Sequence, residues 1–163
     1  IYGYPEQQFG LLFALIGVAI LLGSTINRYL LSRFNSIQMI GLAATVIGLA
    51  GVQLLLIAWL EDVPFWWIWS NFCLYMFGVG MILPNSTALA LDPLPQTAGV
   101  GSSIVGVLQV LSAALGSLAS SFIFDGSVGR IVIILGVFGT ATLVAFALRH
   151  LVLRGTAIIQ APS

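Results

Sequence analysis

From Phe65 to Leu91 the sequence reads FWWIWSNFCLYMFGVGMILPNSTALAL, without one charged side chain. The uncharged stretch between Asp62 and Asp92 is 29 residues long. A helix needs about 20 mostly apolar residues to cross the hydrocarbon core of a bilayer, so this stretch holds one span and not two. The same spacing recurs on either side. Uncharged gaps of 21, 27, 32 and 18 residues separate Glu6 from Arg28, Arg33 from Glu61, Asp92 from Asp125 and Arg130 from Arg149. Each gap predicts a single span, near 9–26, 37–60, 65–91, 98–122 and 131–148. Runs such as Leu11-Leu12-Phe13-Ala14-Leu15-Ile16 lack the strict alternation of a membrane β-strand. Backbone groups in lipid must be satisfied within their own segment. The expected fold is therefore an all-α membrane protein, residues 1–163 forming one transmembrane domain of five helices.

Composition excludes the other broad classes. Of 163 residues 60% are hydrophobic and 6% charged, with five arginines, five carboxylates and no lysine. A soluble domain carries roughly 25% charged residues to solvate its surface, and disorder needs low hydrophobicity with high charge. No basic footprint for nucleic acid is present, so none is expected as a partner; the bilayer is. One cysteine, Cys73, excludes an internal disulfide.

Five spans put the two ends of the chain on opposite faces. One face then collects Arg28, Arg33, Asp92, Arg149 and Arg154, and the other Glu6, Glu61, Asp62, Asp125 and Arg130. Arginine in short loops stays on the cytoplasmic side, which predicts a cytoplasmic C-terminus. Trp59, Trp66, Trp67 and Trp69 flank one loop on the opposite face, as an interfacial aromatic belt does. An outward N-terminus without a charged, cleavable leader raises the expectation of a preceding helix. Within the spans, Leu54-Leu55-Leu56-Ile57 reads as lipid-facing. Small residues at spacing four in the fourth span (Ser102/Gly106 and Ala113/Ser117/Ser121) read as close-packed interior.

Nucleophilic and metal chemistry need a Ser or Cys beside a base, or clustered His, Cys and carboxylates. The one histidine, His150, sits beside Arg149 at the end of the last span and reads as solvated or headgroup-bound. Asp92 and Asp125 fall on opposite faces and cannot form an acid–base pair. No catalytic residue, metal site or cofactor is expected, and the chain does not read as an enzyme. Polar residues inside spans are the functional candidates in a membrane. Asn71, Tyr75, Gly78, Ile82 and Asn85 recur at steps of four, three, four and three, hence on one helical face. Ser102, Gly106, Gln109, Ala113, Gly116 and Ser120 recur similarly in the next span. Two weakly polar stripes on adjacent helices read either as the wall of a water-accessible cavity or as small and amide residues joining helices. The candidate substrate contacts are Asn71, Tyr75, Asn85 and Gln109. Pro84 inside the third span removes a backbone donor and predicts a bend, static or flexing. No Asp, Glu, Lys, Arg or His lies deep in any span, where proton or ion relays generally use one.

The segment Pro84-Asn85-Ser86-Thr87-Ala88-Leu89-Ala90-Leu91-Asp92, continuing through Pro93-Leu94-Pro95-Gln96-Thr97-Ala98-Gly99-Val100-Gly101-Ser102-Ser103 to Gly106 and Gln109, resembles helices ten and eleven of major facilitator superfamily drug:proton antiporters. The branch it resembles is the Bcr/CflA-like multidrug efflux group. The opening Tyr4-Pro5-Glu6-Gln7-Gln8-Phe9-Gly10 resembles that branch's entry into helix eight. The resemblance covers essentially the whole chain as helices eight to twelve. It implies a partial C-terminal six-helix half of a twelve-helix transporter, with the N-terminal half as its missing partner. It further implies a small-molecule substrate, a proton gradient as the driving force, and a multi-pass location in the bacterial inner membrane. Helices eight, ten and eleven would face the cavity and nine and twelve the lipid. One departure stands out: the loop Asn27-Arg28-Tyr29-Leu30-Leu31-Ser32-Arg33-Phe34 keeps two arginines of the superfamily's basic loop signature but lacks its glycines and its acid. Efflux of small amphipathic drugs or metabolites is the leading expectation. The alternatives are an uptake carrier for a metabolite and a non-transporting membrane assembly module.

Overall fold

The computed structural model describes residues 6–60, 63–124 and 127–159, with side chains over 10–60, 63–124 and 127–149. Five long helices follow one another: α1 (Glu6–Leu30), α2 (Ser36–Ile57), α3 (Phe65–Leu91), α4 (Ala98–Ile123) and α5 (Val128–Ile159). A single 3-10 turn, Pro95–Thr97, precedes α4, and no strand occurs among the described residues. All five helices contain a stretch long and apolar enough to span a membrane. Helix α1 continues four residues beyond the expected end of the first span, carrying Asn27 and Arg28 inside the helix. Helix α5 is 32 residues long, about 48 Å at 1.5 Å per residue. Its stretch Val128–Arg149 alone is long and apolar enough to cross a bilayer.

The helix ends follow from local chemistry. Asn35 caps α2: its Oδ1 accepts from the Gln38 backbone N–H at 2.9 Å, and Gln38 Oε1 accepts from the Asn35 N–H at 3.0 Å. This reciprocal pair satisfies two of the backbone donors that a helix start leaves open. Pro64 precedes α3 with extended backbone, consistent with the missing donor of proline being harmless at a helix start. At the other end of α3, Asp92 is followed by Pro93, whose ring disfavours further helix. Within the spans the hydroxyls turn back onto their own helices. Thr25, Thr45, Thr140 and Thr142 each donate to the carbonyl four residues earlier, at 2.7–2.9 Å. In lipid this is the local way to satisfy a hydroxyl without a partner helix.

Helix α2 lies between α3 and α5, α1 packs along α3, and α4 stands loosely beside α3 and α5. Two apolar clusters fill the contacts. Met39, Ala43 and Met81 join α2 to α3, with Leu30, Phe77 and Ile82 around them. Leu54, Ile57 and Val132 join α2 to α5, with Ile68, Tyr75 and Leu135 against them. Glycines set the close approaches. A Cβ on Gly51 would stand 2.8 Å from the Thr140 nitrogen and 2.9 Å from the Gly136 carbonyl oxygen, both backbone atoms of α5. A Cβ on Gly23 of α1 would collide with the Phe77 carbonyl of α3, and one on Gly80 of α3 with the Ile20 carbonyl of α1. The α1–α3 crossing is thus reciprocal, each helix offering a glycine to the other's backbone.

Two expectations about lateral position are corrected. The Leu54–Ile57 stretch is not uniformly lipid-facing: Leu54 is fully buried and Ile57 nearly so, while Leu56 is 63% exposed. Conversely, the fourth span is not interior within this chain. Only 6% of the α4 span is buried, against 44% for α2, and a Cβ on Gly106 or Gly116 would meet nothing within 4 Å. Small residues permit close approach; they do not supply the neighbour.

Candidate functional site

Asn71 is 8% exposed and its Nδ2 donates to the Trp67 carbonyl at 3.3 Å. That carbonyl can only accept, so the amide orientation is fixed and Oδ1 is the end left over. Oδ1 is buried without a hydrogen-bond partner. Asn71 shares a cleft of about 340 Å³ with Gln53, Leu56, Ile57, Leu60 and Trp67, between α2 and α3. Tyr75, one turn on, packs against the Leu54, Ile57 and Val132 cluster, and its ring lies over Gly139 of α5. Gly78 faces Ile47 and the Ala43 carbonyl of α2. Within this chain the stripe therefore packs largely on neighbouring helices, with a cleft at its Asn71 end.

Asn85 sits at the far end of this face and is 2% exposed. Its Nδ2 donates to Asn27 Oδ1 of α1 at 2.6 Å and to the Met81 carbonyl at 2.8 Å. Asn27 is itself 3% exposed. Two buried amides therefore meet across the α1–α3 contact, one residue beyond Pro84, where the helix has lost a backbone donor. Asn27 was not among the candidates read from the sequence. With the first span ending near residue 26, it fell in the loop, one residue outside the region where polar groups draw notice.

Gln109 is differently placed. It is exposed on α4 and lines an open cleft of about 520 Å³ with Leu83 of α3 and Val105, Leu108 and Ser112 of α4. Nearer the C-terminal end of α4, Ser117, Ser120 and Ser121 line a second cleft, of about 460 Å³, against Ile131, Ile134 and Leu135 of α5. The Ser120 hydroxyl donates to the Gly116 carbonyl at 2.8 Å, which leaves its oxygen free to accept. The four candidates do not converge: Asn71 faces α2, Tyr75 the α2–α5 cluster, Asn85 faces α1, and Gln109 the α3–α4 cleft.

The chemistry on offer is neutral. No three His, Cys, Asp or Glu side chains come together as a metal site among the described residues. The charged side chains described, Arg28, Arg33, Asp92, Arg130 and Arg149, stand at or beyond the ends of the apolar stretches or next to a helix start. The side chain of His150, and Asp125 as a neighbour for Arg130, lie outside the described residues.

No family model matches the chain, and no solved structure does. Three proteins are similar to it in sequence. The bicyclomycin resistance protein homolog of Haemophilus influenzae is 31% identical over 126 residues, 77% of this chain and 31% of that protein. An uncharacterized MFS-type transporter of Bacillus subtilis, YdgK, is 29% identical over 127 residues, 76% of this chain and 30% of that protein. Multidrug resistance protein D of Escherichia coli is 32% identical over 91 residues, 54% of this chain and 23% of that protein. The matched region spans about a third or less of each relative. Five apolar helices, with no strand among the described residues, together with these relatives fit part of one half of the major facilitator fold. The chain is a multi-pass membrane protein and a relative of the major facilitator drug-efflux transporters.

Proposed function

We propose that this chain is part of a secondary transporter that expels small amphipathic compounds from a bacterial cell by proton-coupled alternating access. The observation that carries the reading is the α3–α4 cleft: apolar walls from Leu83, Val105 and Leu108, hydrogen-bonding groups from Gln109 and Ser112, and no charge. Such a wall accommodates varied apolar molecules without demanding a counter-ion, which suits broad specificity. The names of the relatives support the same reading. Of the four candidate residues, Gln109 is the proposed direct substrate contact. Tyr75 and Asn85 act through the helix packing that shapes the α3 wall, and Asn71 serves the separate α2–α3 cleft.

The uncovered faces of α4 and α1 are proposed to pack on the remainder of the transporter, including its N-terminal half. Bending or rocking of the two halves about a site between them would switch access. A cytoplasmic C-terminus and an inner-membrane location are part of the proposal; the arginines at 28, 33, 149 and 154, which five alternating spans bring to one face, support this orientation. The coupling proton is proposed to be carried by groups outside this chain, since no Asp, Glu, Lys, Arg or His side chain lies at depth in its described spans.

The test is resistance and accumulation. The transporter containing this chain is expressed in a drug-sensitised bacterial host. Growth is scored on bicyclomycin, the compound in the name of the Haemophilus relative, and on a panel of cationic and neutral drugs. Ethidium accumulation is then followed with and without a protonophore. Lower accumulation that the protonophore abolishes is the expected result, with Gln109→Ala altering the drug profile at unchanged expression. Accumulation and growth equal to the empty host across the panel would overturn the reading.

A further inference from the structure

We infer that Asn27 is a positioning residue: it holds the part of α3 beyond Pro84 against α1 through a hydrogen bond of fixed direction, and so sets the α3 wall of the cleft that contains Gln109. For its transport consequences this rests on the efflux reading above; the structural latch does not.

The direction of the bond follows from one carbonyl. Asn85 Nδ2 lies 2.8 Å from the Met81 carbonyl oxygen and 2.6 Å from Asn27 Oδ1. The Met81 carbonyl has no proton to give, so the Asn85 atom facing it must be the nitrogen. Both Asn85 N–H groups are then committed as donors, and Asn27 must present its oxygen. Two asparagines that look interchangeable in sequence therefore have opposite duties, Asn85 donating and Asn27 accepting. Both side chains are at least 97% buried, where a group facing the wrong way leaves an unmade hydrogen bond in a low-dielectric setting.

The location gives the bond its consequence. Pro84 has no N–H, so the α3 backbone ladder is missing one bond just before Asn85. The Asn85 side chain adds a tie back to Met81 on one side of that gap and a tie across to α1 on the other. Leu83, one residue before Pro84, lines the α3–α4 cleft opposite Gln109. Gly23 and Gly80 bring the two backbones into contact at a single crossing, which fixes their separation there and not their relative angle. The amide bond lies five residues farther along α3, about 7.5 Å from that crossing at 1.5 Å per residue. A second attachment off the crossing point resists rotation, which the crossing alone does not.

The directional duty makes the test sharp. Asn27→Asp keeps a carbonyl oxygen where one is needed, whereas Asn85→Asp keeps at most one O–H for two acceptors, the Asn27 oxygen and the Met81 carbonyl. In the Cys73→Ala background, spin labels at Leu31→Cys, in the turn just after α1, and at Ala90→Cys on α3 report the distance between these two helix ends in nanodiscs. Asn27→Asp is expected to keep the parent distance distribution, while Asn27→Leu and Asn85→Asp broaden or shift it. Ethidium transport in inverted vesicles is expected to show the same order. Asn27→Leu raises KM about threefold with kcat within about twofold, the size of a typical interhelical hydrogen bond in a membrane. Asn27→Asp is expected to stay within about twofold of the parent in both. Unchanged distances in Asn27→Leu, or Asn27→Asp as damaging as Asn85→Asp, would overturn the latch. A parent protein that does not transport ethidium or any drug on the panel, with distances that still follow the expected order, would overturn the efflux reading and leave the latch standing.

Discussion

Helices α2 and α4 are alike in composition and opposite in circumstance. Each is rich in Gly, Ala and apolar residues, yet α2 is the most buried of the five and α4 the least. Gly48 and Gly51 of α2 stand against α5, where an added Cβ would meet Leu143 or the backbone around Thr140. Gly106 and Gly116 of α4 face open space. Lipid tails are as apolar as leucine, so burial in a membrane is not driven by hydrophobicity and depends on shape matching between helices. A small residue is therefore half of a statement, completed only by the surface that approaches it.

The largest effect that separates the two helices comes from filling those glycines. Gly51→Leu should drive a branched side chain into the α5 backbone and destabilise the folded protein by about 3 kcal/mol or more. Gly106→Leu on α4 should change stability by no more than about 0.5 kcal/mol. Thermal unfolding of the purified protein in one detergent measures both, and equal losses would erase the contrast. Next in size are Gly23→Ala and Gly80→Ala at the α1–α3 crossing. Each should cost about 1–3 kcal/mol, because the obstacle is a carbonyl of the opposing backbone and not the end of a flexible side chain.

Smaller again is the Asn27–Asn85 pair. A double-mutant cycle with leucine at both positions should return a coupling of about 0.6 kcal/mol, with about 1.7 kcal/mol as the upper reach for such bonds in membranes. A coupling indistinguishable from zero would mean that the 2.6 Å contact does not contribute. Smallest of all, and opposite in sign, are Gly106→Ala and Gly116→Ala. With nothing to strike, the new methyl should leave stability unchanged or raise it by no more than about 0.5 kcal/mol through helix propensity. A loss in this chain would show that α4 has a close neighbour after all.

The number of helices and their rough bounds were legible in the sequence, because charge is expelled from hydrocarbon and ten charges leave visible gaps. The lateral arrangement was not. Hydropathy is a property of one segment, and the order α1–α3, α3–α2, α2–α5 is a property of pairs. Leu54 and Ile57 read as lipid-facing because leucine suits lipid and protein equally well; only Val132 and its neighbours decide the matter. The helical-face pattern of Asn71, Tyr75, Gly78 and Asn85 was present in the spacing, but the spacing could not say whether that face meets water or other helices. Asn27 went unnoticed for a simpler reason. Helix α1 runs on past Ile26 to Leu30, and an amide placed in a loop is unremarkable while the same amide inside a helix needs a partner. A search for polar residues within a turn of each span end would have found it.

The reciprocal glycines at the α1–α3 crossing also define a lever. Gly80 lies about 22 Å along α3 from Phe65 and about 17 Å from Leu91, at 1.5 Å per residue. With Gly23 and Gly80 holding the two backbones together at that depth, the crossing is a fulcrum. Once the Asn27–Asn85 bond is released, a tilt of about 10° around the fulcrum would carry the two ends of α3 in opposite directions by about 4 Å and about 3 Å, while the middle of the helix stays in place. Opening one end of the helix would then close the other with no sliding between the pair.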